Sequence, residues 1–176
     1  DVTGSADRIS ADRIDLVSTG GRIGASQGSA LKTASVGTVT VLSTSGREVY
    51  VEHQSGDVNA GGTAQTYVLR AVTGAIGSAG PIDASRVVLS AAGSIAAATV
   101  RAGSVLSASG TGVTVDHTGG AVVLKDYDAA EGAVTTVTNR AEGGQYKLVA
   151  AGDITSASDV TGSADRISAD RIDLVS

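Results

Sequence analysis

The chain has 176 residues, a net charge of −5, 24 Gly, one Pro and no Cys, Met, Trp or Phe. Four Tyr are its only aromatic residues, which excludes a core built on large aromatic side chains and predicts a thin one of small aliphatics. Hydrophobic residues make up 41 % of the chain and charged residues 18 %, which argues against disorder. The negative charge argues against nucleic acid or an anionic membrane as a partner. No run of 18 apolar residues occurs, so no membrane insertion is expected.

The first 18 residues recur, letter for letter, as residues 159–176. We therefore expect residues 1–158 to be one full tandem repeat and residues 159–176 to start the next identical repeat of the same continuous solenoid. Inside the repeat, strand-like runs ending in Leu are followed by Gly and then by Ile or Val, first at Leu16, Gly20 and Ile23. Seven such steps fill the 158 residues (174 − 16) from Leu16 to Leu174, or about 23 residues per step, as in one β-solenoid coil.

Short alternating runs such as TVTVL (38–42), EVYVE (48–52) and GVTVD (112–116) are typical of β-strands, and no stretch has a helical period. The fold class predicted is all-β, a right-handed parallel β-helix with about seven coils per 158 residues. Longer steps, around residues 25–35, 53–66 and 126–133, are expected to form bulged loops suited to lateral contacts. The inward side chains are expected to include Ile14, Leu16, Ile23, Val39, Val41, Val49, Val51, Leu69, Ile76, Val88, Ile95, Val113, Val115, Val122, Leu124, Val137, Leu148 and Ile154.

The segments LVAAGDITSASDV (148–160) and VVLSAAGSIAAATV (87–100) share the pattern hydrophobic-x-Leu, small residues, Gly, then Ile. This pattern resembles the repeats of filamentous haemagglutinin-type adhesins, the large exoproteins of two-partner secretion systems. The resemblance implies secretion, display at the bacterial cell surface as an outer-membrane-associated fibre, and a long β-helical stalk that serves attachment. It implies no catalytic residues.

No phosphate-binding loop and no catalytic motif occurs, and no catalytic residue, cofactor or cofactor-binding residue is predicted. His53 and His117 are isolated in sequence, and His117 is expected to point outward after its strand. Asp126, Asp128 and Glu131 lie close together in a predicted loop. They are a weak candidate for a Ca²⁺ site, because hard cations prefer carboxylate oxygens.

The segment SADRISADRI (5–14) is a five-residue duplication that repeats an Asp-Arg pair, Asp7 with Arg8 and Asp12 with Arg13. One interpretation is solvated ion pairs on two short faces, which contribute little stability. The alternative is a surface stripe that binds a ligand or another fibre.

The function expected is a structural stalk segment of a surface adhesin, and not an enzyme. The alternatives are a lateral-association or carbohydrate- or receptor-binding module within such a fibre and, more remotely, a polysaccharide-active β-helix enzyme. The expected partners are neighbouring repeats of the same chain, identical fibres, or a glycan receptor on a cell surface.

Overall fold

The computed structural model describes residues 8–101, 105–157 and 167–176, and nearly all of this part of the chain is β-structure. The strands are β1 (Arg8–Ser10), β2 (Arg13–Ser18), β3 (Leu31–Ala34), β4 (Thr38–Ser45), β5 (Glu48–His53), β6 (Asp57–Ala71), β7 (Ile76–Ala91), β8 (Ile95–Val100), β9 (Val105–Gly110), β10 (Val113–His117), β11 (Val122–Leu124), β12 (Arg140–Ala150), β13 (Ile154–Ser156) and β14 (Ser168–Val175). Two short 3-10 helices span Gln27–Ser29 and Ala129–Glu131, and the described ranges contain no α-helix. The predicted all-β class is confirmed.

The named strands form one sheet of 14 strands, and every pairing between them is parallel. Five strands close a ring in the order β7, β8, β10, β12, β9 and back to β7. The ring closes because β7 is long enough to pair with both β8 and β9, at different places along its length. Its residues Ile76 and Ile82 pair with β8, whereas residues 86–90 pair with β9.

The chain returns to the same place in the sheet at a short, regular interval. One column of directly paired residues runs through Val39, Val58, Ile76, Ile95 and Val113, at steps of 19, 18, 19 and 18 residues. The mean Leu-to-Leu spacing of about 23 residues exceeds this step because two paired intervals are longer: 27 residues (43 − 16) from Leu16 to Ser43 and 33 residues (150 − 117) from His117 to Ala150. Leu42, which marked one of the steps, is half-buried, and its neighbour Ser43 is fully buried.

A continuous apolar cluster fills the interior and confirms most of the predicted inward positions. Fifteen of the eighteen expected side chains belong to it, and Ile154 packs against it while half-buried. The inward prediction was wrong for Val88 and Val137, which are buried in a separate cluster outside the sheet. Val87, Val88 and Leu89 are three consecutive apolar residues, so the sequence does not indicate which of them point inward. In the structure Val87 and Leu89 point inward.

Two tyrosines correct the expectation of a purely aliphatic core. Tyr67 and Tyr146 lie inside the main cluster and are 0 % exposed. The Tyr67 hydroxyl donates to the Gly61 carbonyl oxygen at 3.3 Å, and burial raises the pKa of both phenols well above the ordinary value of 10. The expected loop at 53–66 is also wrong in its larger part, since β6 begins at Asp57.

Candidate functional site

The longest insertion between paired strands lies over the outer face of the sheet. We call residues 126–139 the strap. Tyr127 and Val137 of the strap form an antiparallel bridge, with N–H to O distances of 2.9 and 2.8 Å, and both side chains are buried. Together with Val68 and Val88, which are paired on the neighbouring strands β6 and β7, they make a small apolar cluster, against which Tyr50 packs. The strap therefore covers an outward apolar patch that would otherwise face solvent.

Asn139 fixes the C-terminal end of the strap to the body of the sheet. Its side-chain Oδ1 accepts from the Ala108 backbone N–H at 3.0 Å and from the Tyr146 hydroxyl at 2.8 Å. Its Nδ2 donates to the Leu106 carbonyl oxygen at 3.4 Å, and its own backbone N–H donates to Asp126 Oδ1 at 3.2 Å. Asn139 is 1 % exposed, so these bonds satisfy polar atoms that water does not reach.

Charged groups hold the middle of the strap. Glu131 accepts from Arg86 Nη2 at 2.6 Å and also pairs with Lys125. The Arg86 guanidinium lies 5.7 Å from the centre of the Tyr127 ring, within the range of a cation–π contact. Burial, with Tyr50 nearby as a smaller cause, raises the pKa of Tyr127 to about 12.

The structure does not gather the three predicted calcium ligands into a metal site. Glu131 faces two cationic side chains, and Asp126 accepts the Asn139 N–H. The Asp128 carbonyl oxygen accepts two backbone N–H groups within the strap. Among the described residues, no group of three His, Cys, Asp or Glu side chains is placed to hold a metal ion. The carboxylates of Glu131 and Asp126 therefore serve the attachment of the strap.

A single side chain from a distant part of the chain clamps the strap at its tip. Gln27 Oε1 accepts from the backbone N–H groups of Val134 and Thr135, the latter at 2.7 Å, and Gln27 Nε2 donates to the Thr135 carbonyl oxygen at 3.0 Å. A polar cleft of about 160 Å³ opens between this clamp and the sheet. Gln27 thus belongs to the expected loop 25–35, of which residues 31–34 instead form β3, and the residues that it clamps directly follow the expected loop 126–133.

A column of charged side chains forms the floor of this cleft. Lys32, Glu52 and Arg70 occupy directly paired positions on β3, β5 and β6, and Arg70 Nη1 lies 3.0 Å from Glu52 Oε2. Arg8 pairs with Lys32 at one end. At the other end the column continues through Ser90, Ser109, Arg140 and Ser168. The column has four cationic side chains and one carboxylate. Because Arg140 pairs with Glu142 beside the column at 2.6 Å, the locally basic part is the end that holds Arg8, Lys32 and Arg70.

Of the predicted surface stripe, Asp7, Arg8, Asp12 and Arg13, the structure places Arg8 in this column. Asp7 lies outside the described residues. Arg8, Asp12 and Arg13 are exposed, but Arg8 is on β1, which pairs with β3, whereas Arg13 is on β2, which pairs with β4. Arg13 Nε bonds Asp15 Oδ2 at 3.1 Å. Arg8 and Arg13 therefore lie in different columns.

Both histidines are buried in the interior, and the outward expectation for His117 was wrong. His117 is 1 % exposed and shares its strand face with Val113 and Val115, which the two-residue period of a strand already indicates. His53 is 0 % exposed, and its Nδ1 lies 2.9 Å from Thr33 Oγ1. Burial lowers the pKa of His53 below 6.5, outweighing the raising effects of the Ser55 backbone and Asp57.

We expect the free energy of unfolding to fall as the pH drops below about 6.5. Below this pH the unfolded chain binds a proton at His53 that the folded chain excludes. The stabilisation by the neutral ring is therefore complete above pH 6.5 and is lost as the pH falls toward the lower pKa that His53 has in the folded chain. Urea unfolding at about pH 8 and about pH 5 measures this loss. In His53→Gln the part of the pH dependence that belongs to His53 should disappear. An unchanged pH dependence would contradict the assignment.

No helix in the described ranges is long and apolar enough to cross a membrane. Compared with protein-family models, with curated proteins and with solved structures, the chain matches none.

Proposed function

We propose that this chain is a stalk segment of a long secreted bacterial surface adhesin, built as a right-handed parallel β-helix. The observation that carries the proposal is the column from Val39 to Val113, in which chain segments 18 or 19 residues apart pair in parallel. Such pairing is that of one coil stacked on the next, and parallel connections of this kind are almost always right-handed. On this reading the five-strand ring arises from β7 and β12, which bend around the coil and pair on two sides.

A stack of coils suits a stalk for a physical reason. Each coil contacts its neighbours along one axis, so the structure can grow in length without enlarging its core. The continuous apolar interior and the exact recurrence of residues 1–18 at 159–176 fit such growth. Seven coils at about 4.8 Å per strand would extend the stalk by about 34 Å per unit.

Electron microscopy of chains with one, two and four of the 158-residue units tests this proposal. We expect rods that lengthen by about 34 Å per added unit at constant width. An antibody to the chain should also label intact cells of the source bacterium and lose its target when the cells are treated with protease. Compact particles, or labelling only after lysis, would contradict the stalk or its location.

The basic column favours a second candidate function, a binding module for an acidic polysaccharide or glycan receptor. Lys32 and Arg70 line the polar cleft beside the Gln27 clamp, where they can pair with carboxylate or sulfate groups of a sugar chain. We propose no catalytic step, because the carboxylate of Glu131 is paired with cations and that of Asp126 with a backbone N–H.

Binding of acidic and neutral polysaccharides to the immobilised chain tests this second candidate. We expect preference for the acidic polymer, weakening as salt rises, and a loss of about tenfold in Lys32→Ala/Arg70→Ala. Arg47→Ala/Arg101→Ala is the matched control, since it also removes two positive charges and both arginines are exposed and outside the column. Equal losses in both variants would point to net charge and not to the column.

A further inference from the structure

One pentapeptide occurs twice in this structure in different surroundings. The sequence Arg-Ile-Asp-Leu-Val is found in β2 and again in β14. In β2, Ile14 and Leu16 are 4 % and 6 % exposed, whereas the matching Ile172 and Leu174 of β14 are each 45 % exposed. The same two apolar side chains are thus buried in one copy and nearly half exposed in the other.

The register of β2 shows which strand covers this sequence. β4 pairs with β2 in parallel, with Ile14 opposite Val41 and Asp15 opposite Leu42. Val41 is itself 0 % exposed, so it closes the interior over Ile14. Among the described residues, β14 pairs with β12 only.

An apolar cleft lies beside the uncovered face of β14. Its volume is about 300 Å³. It is lined by Leu124, Ile154, Thr155, Ser156, Ile167, Ile172 and Leu174. A groove of this composition, next to an open strand edge, is a site for strand addition, because backbone bonds and apolar side chains are satisfied together.

We propose that β14 is a docking strand for a segment with the sequence of residues 19–45, which pairs with it in the register of β4 on β2. This inference deepens the proposed stalk function, because it names the strand that joins one 158-residue unit to the next. The β4 part of the segment places Thr40 opposite Arg171 and Leu42 opposite Asp173, so no like charges meet.

A second copy of this chain stacked through its own β2 is the weaker occupant. In-register pairing of β2 with β14 sets Arg13 opposite Arg171 and Asp15 opposite Asp173. Like charges directly opposite each other on neighbouring strands are destabilising. The charge pattern therefore selects the neutral β4 strand over the identical strand.

The test uses the full chain extended after Ser176 by a copy of residues 19–45, with a control extension in which the copied Val39 and Val41 are both Asp. We expect amide hydrogen exchange across residues 168–175 to slow at least tenfold with the native extension and to stay unchanged with the control. Since the chain has no Cys, Asp173→Cys should form a disulfide with a Cys at the copied Leu42. It should form none with a Cys at the copied Thr40, two residues away along the strand.

Two results would overturn the proposal. One is exchange across residues 168–175 that is equally fast with both extensions. The other is an intermolecular disulfide between Asp173→Cys and Asp15→Cys in the unextended chain, which would make a second copy the occupant. Either result, with rods that still lengthen by about 34 Å per unit, would reject the docking strand and leave the stalk proposal standing.

Discussion

Replacing Gly74 by Ala is expected to lower the free energy of unfolding by about 3 kcal/mol, since forcing atoms into a packed site typically costs 1–3 kcal/mol and occasionally more. A Cβ atom on Gly74 would lie 1.9 Å from the Gly56 carbonyl oxygen and 2.6 Å from the Gly56 carbonyl carbon. Both atoms belong to the backbone of the neighbouring chain segment, so no side chain can turn away to relieve the clash. The two segments must separate at this bend, which also weakens the hydrogen bond from Gly93 N–H to the Gly74 carbonyl oxygen.

Gly20→Ala is the matched control for this prediction. Like Gly74, Gly20 lies in a bend between strands, but Gly20 is exposed whereas Gly74 is half-buried, and a Cβ built on Gly20 has no atom within 4 Å. Both glycines have a backbone conformation open to other residues, so the two variants differ mainly in the space around the new methyl group. Urea unfolding should show a large loss for Gly74→Ala and a change within about 0.5 kcal/mol for Gly20→Ala. Equal effects would mean that the coils do not approach as closely at Gly74 as the structure places them.

Replacing Asn139 by Ala is expected to lower the free energy of unfolding by about 3 kcal/mol and to loosen the strap. The change removes the side-chain partner of the Ala108 N–H, the Tyr146 hydroxyl and the Leu106 carbonyl oxygen. Tyr146 is 0 % exposed, so its hydroxyl is left without water, and each unsatisfied buried group costs about 1–3 kcal/mol.

Tyr127 reports whether the strap has moved in this variant. Its pKa of about 12 is caused mainly by burial between the strap and the sheet, so loosening should bring that pKa down toward 10 in an ultraviolet titration. Thr136→Ala is the control, because Thr136 is an exposed strap residue. A loss of stability in Asn139→Ala with no change at Tyr127 would mean that Asn139 supports the core alone.

The all-β class and most of the strands could be predicted from the sequence because their signals are local. β-branched residues at a period of two give strands, and Gly recurs where chains approach closely, as Gly74 does against Gly56. The phase was wrong where apolar residues run consecutively, as at Val88, whereas the alternating run at Val39 and Val41 gave the right phase. The inward direction of His117 was available from its spacing to Val115, and was missed because a lone polar residue was expected in solvent.

The strap could not be predicted, because its attachments join parts of the chain far apart in sequence. Gln27 and Thr135 are separated by 108 residues, and nothing near either residue indicates the other. The AVTTVT run (133–138) reads as a strand, yet only Val137 makes a bridge, to Tyr127. The basic column was hidden for a similar reason. Lys32 and Arg70 fall into one line only when the coil lengths between them are known.

The most direct test of the stacked-coil account is a set of distances between spin labels on engineered cysteines. One interior column of directly paired residues runs, in order, through Leu16, Ser43, Gly62, Ile82, Val100, His117 and Ala150. The labels are placed at the exposed positions 17, 44, 118 and 151, each of which directly follows a residue of this column. Pairs 44–118, 44–151 and 17–151 are four, five and six coils apart. At about 4.8 Å per coil, electron–electron double resonance should give backbone separations of about 19, 24 and 29 Å. Three distances that do not rise by about 5 Å per coil would contradict the account.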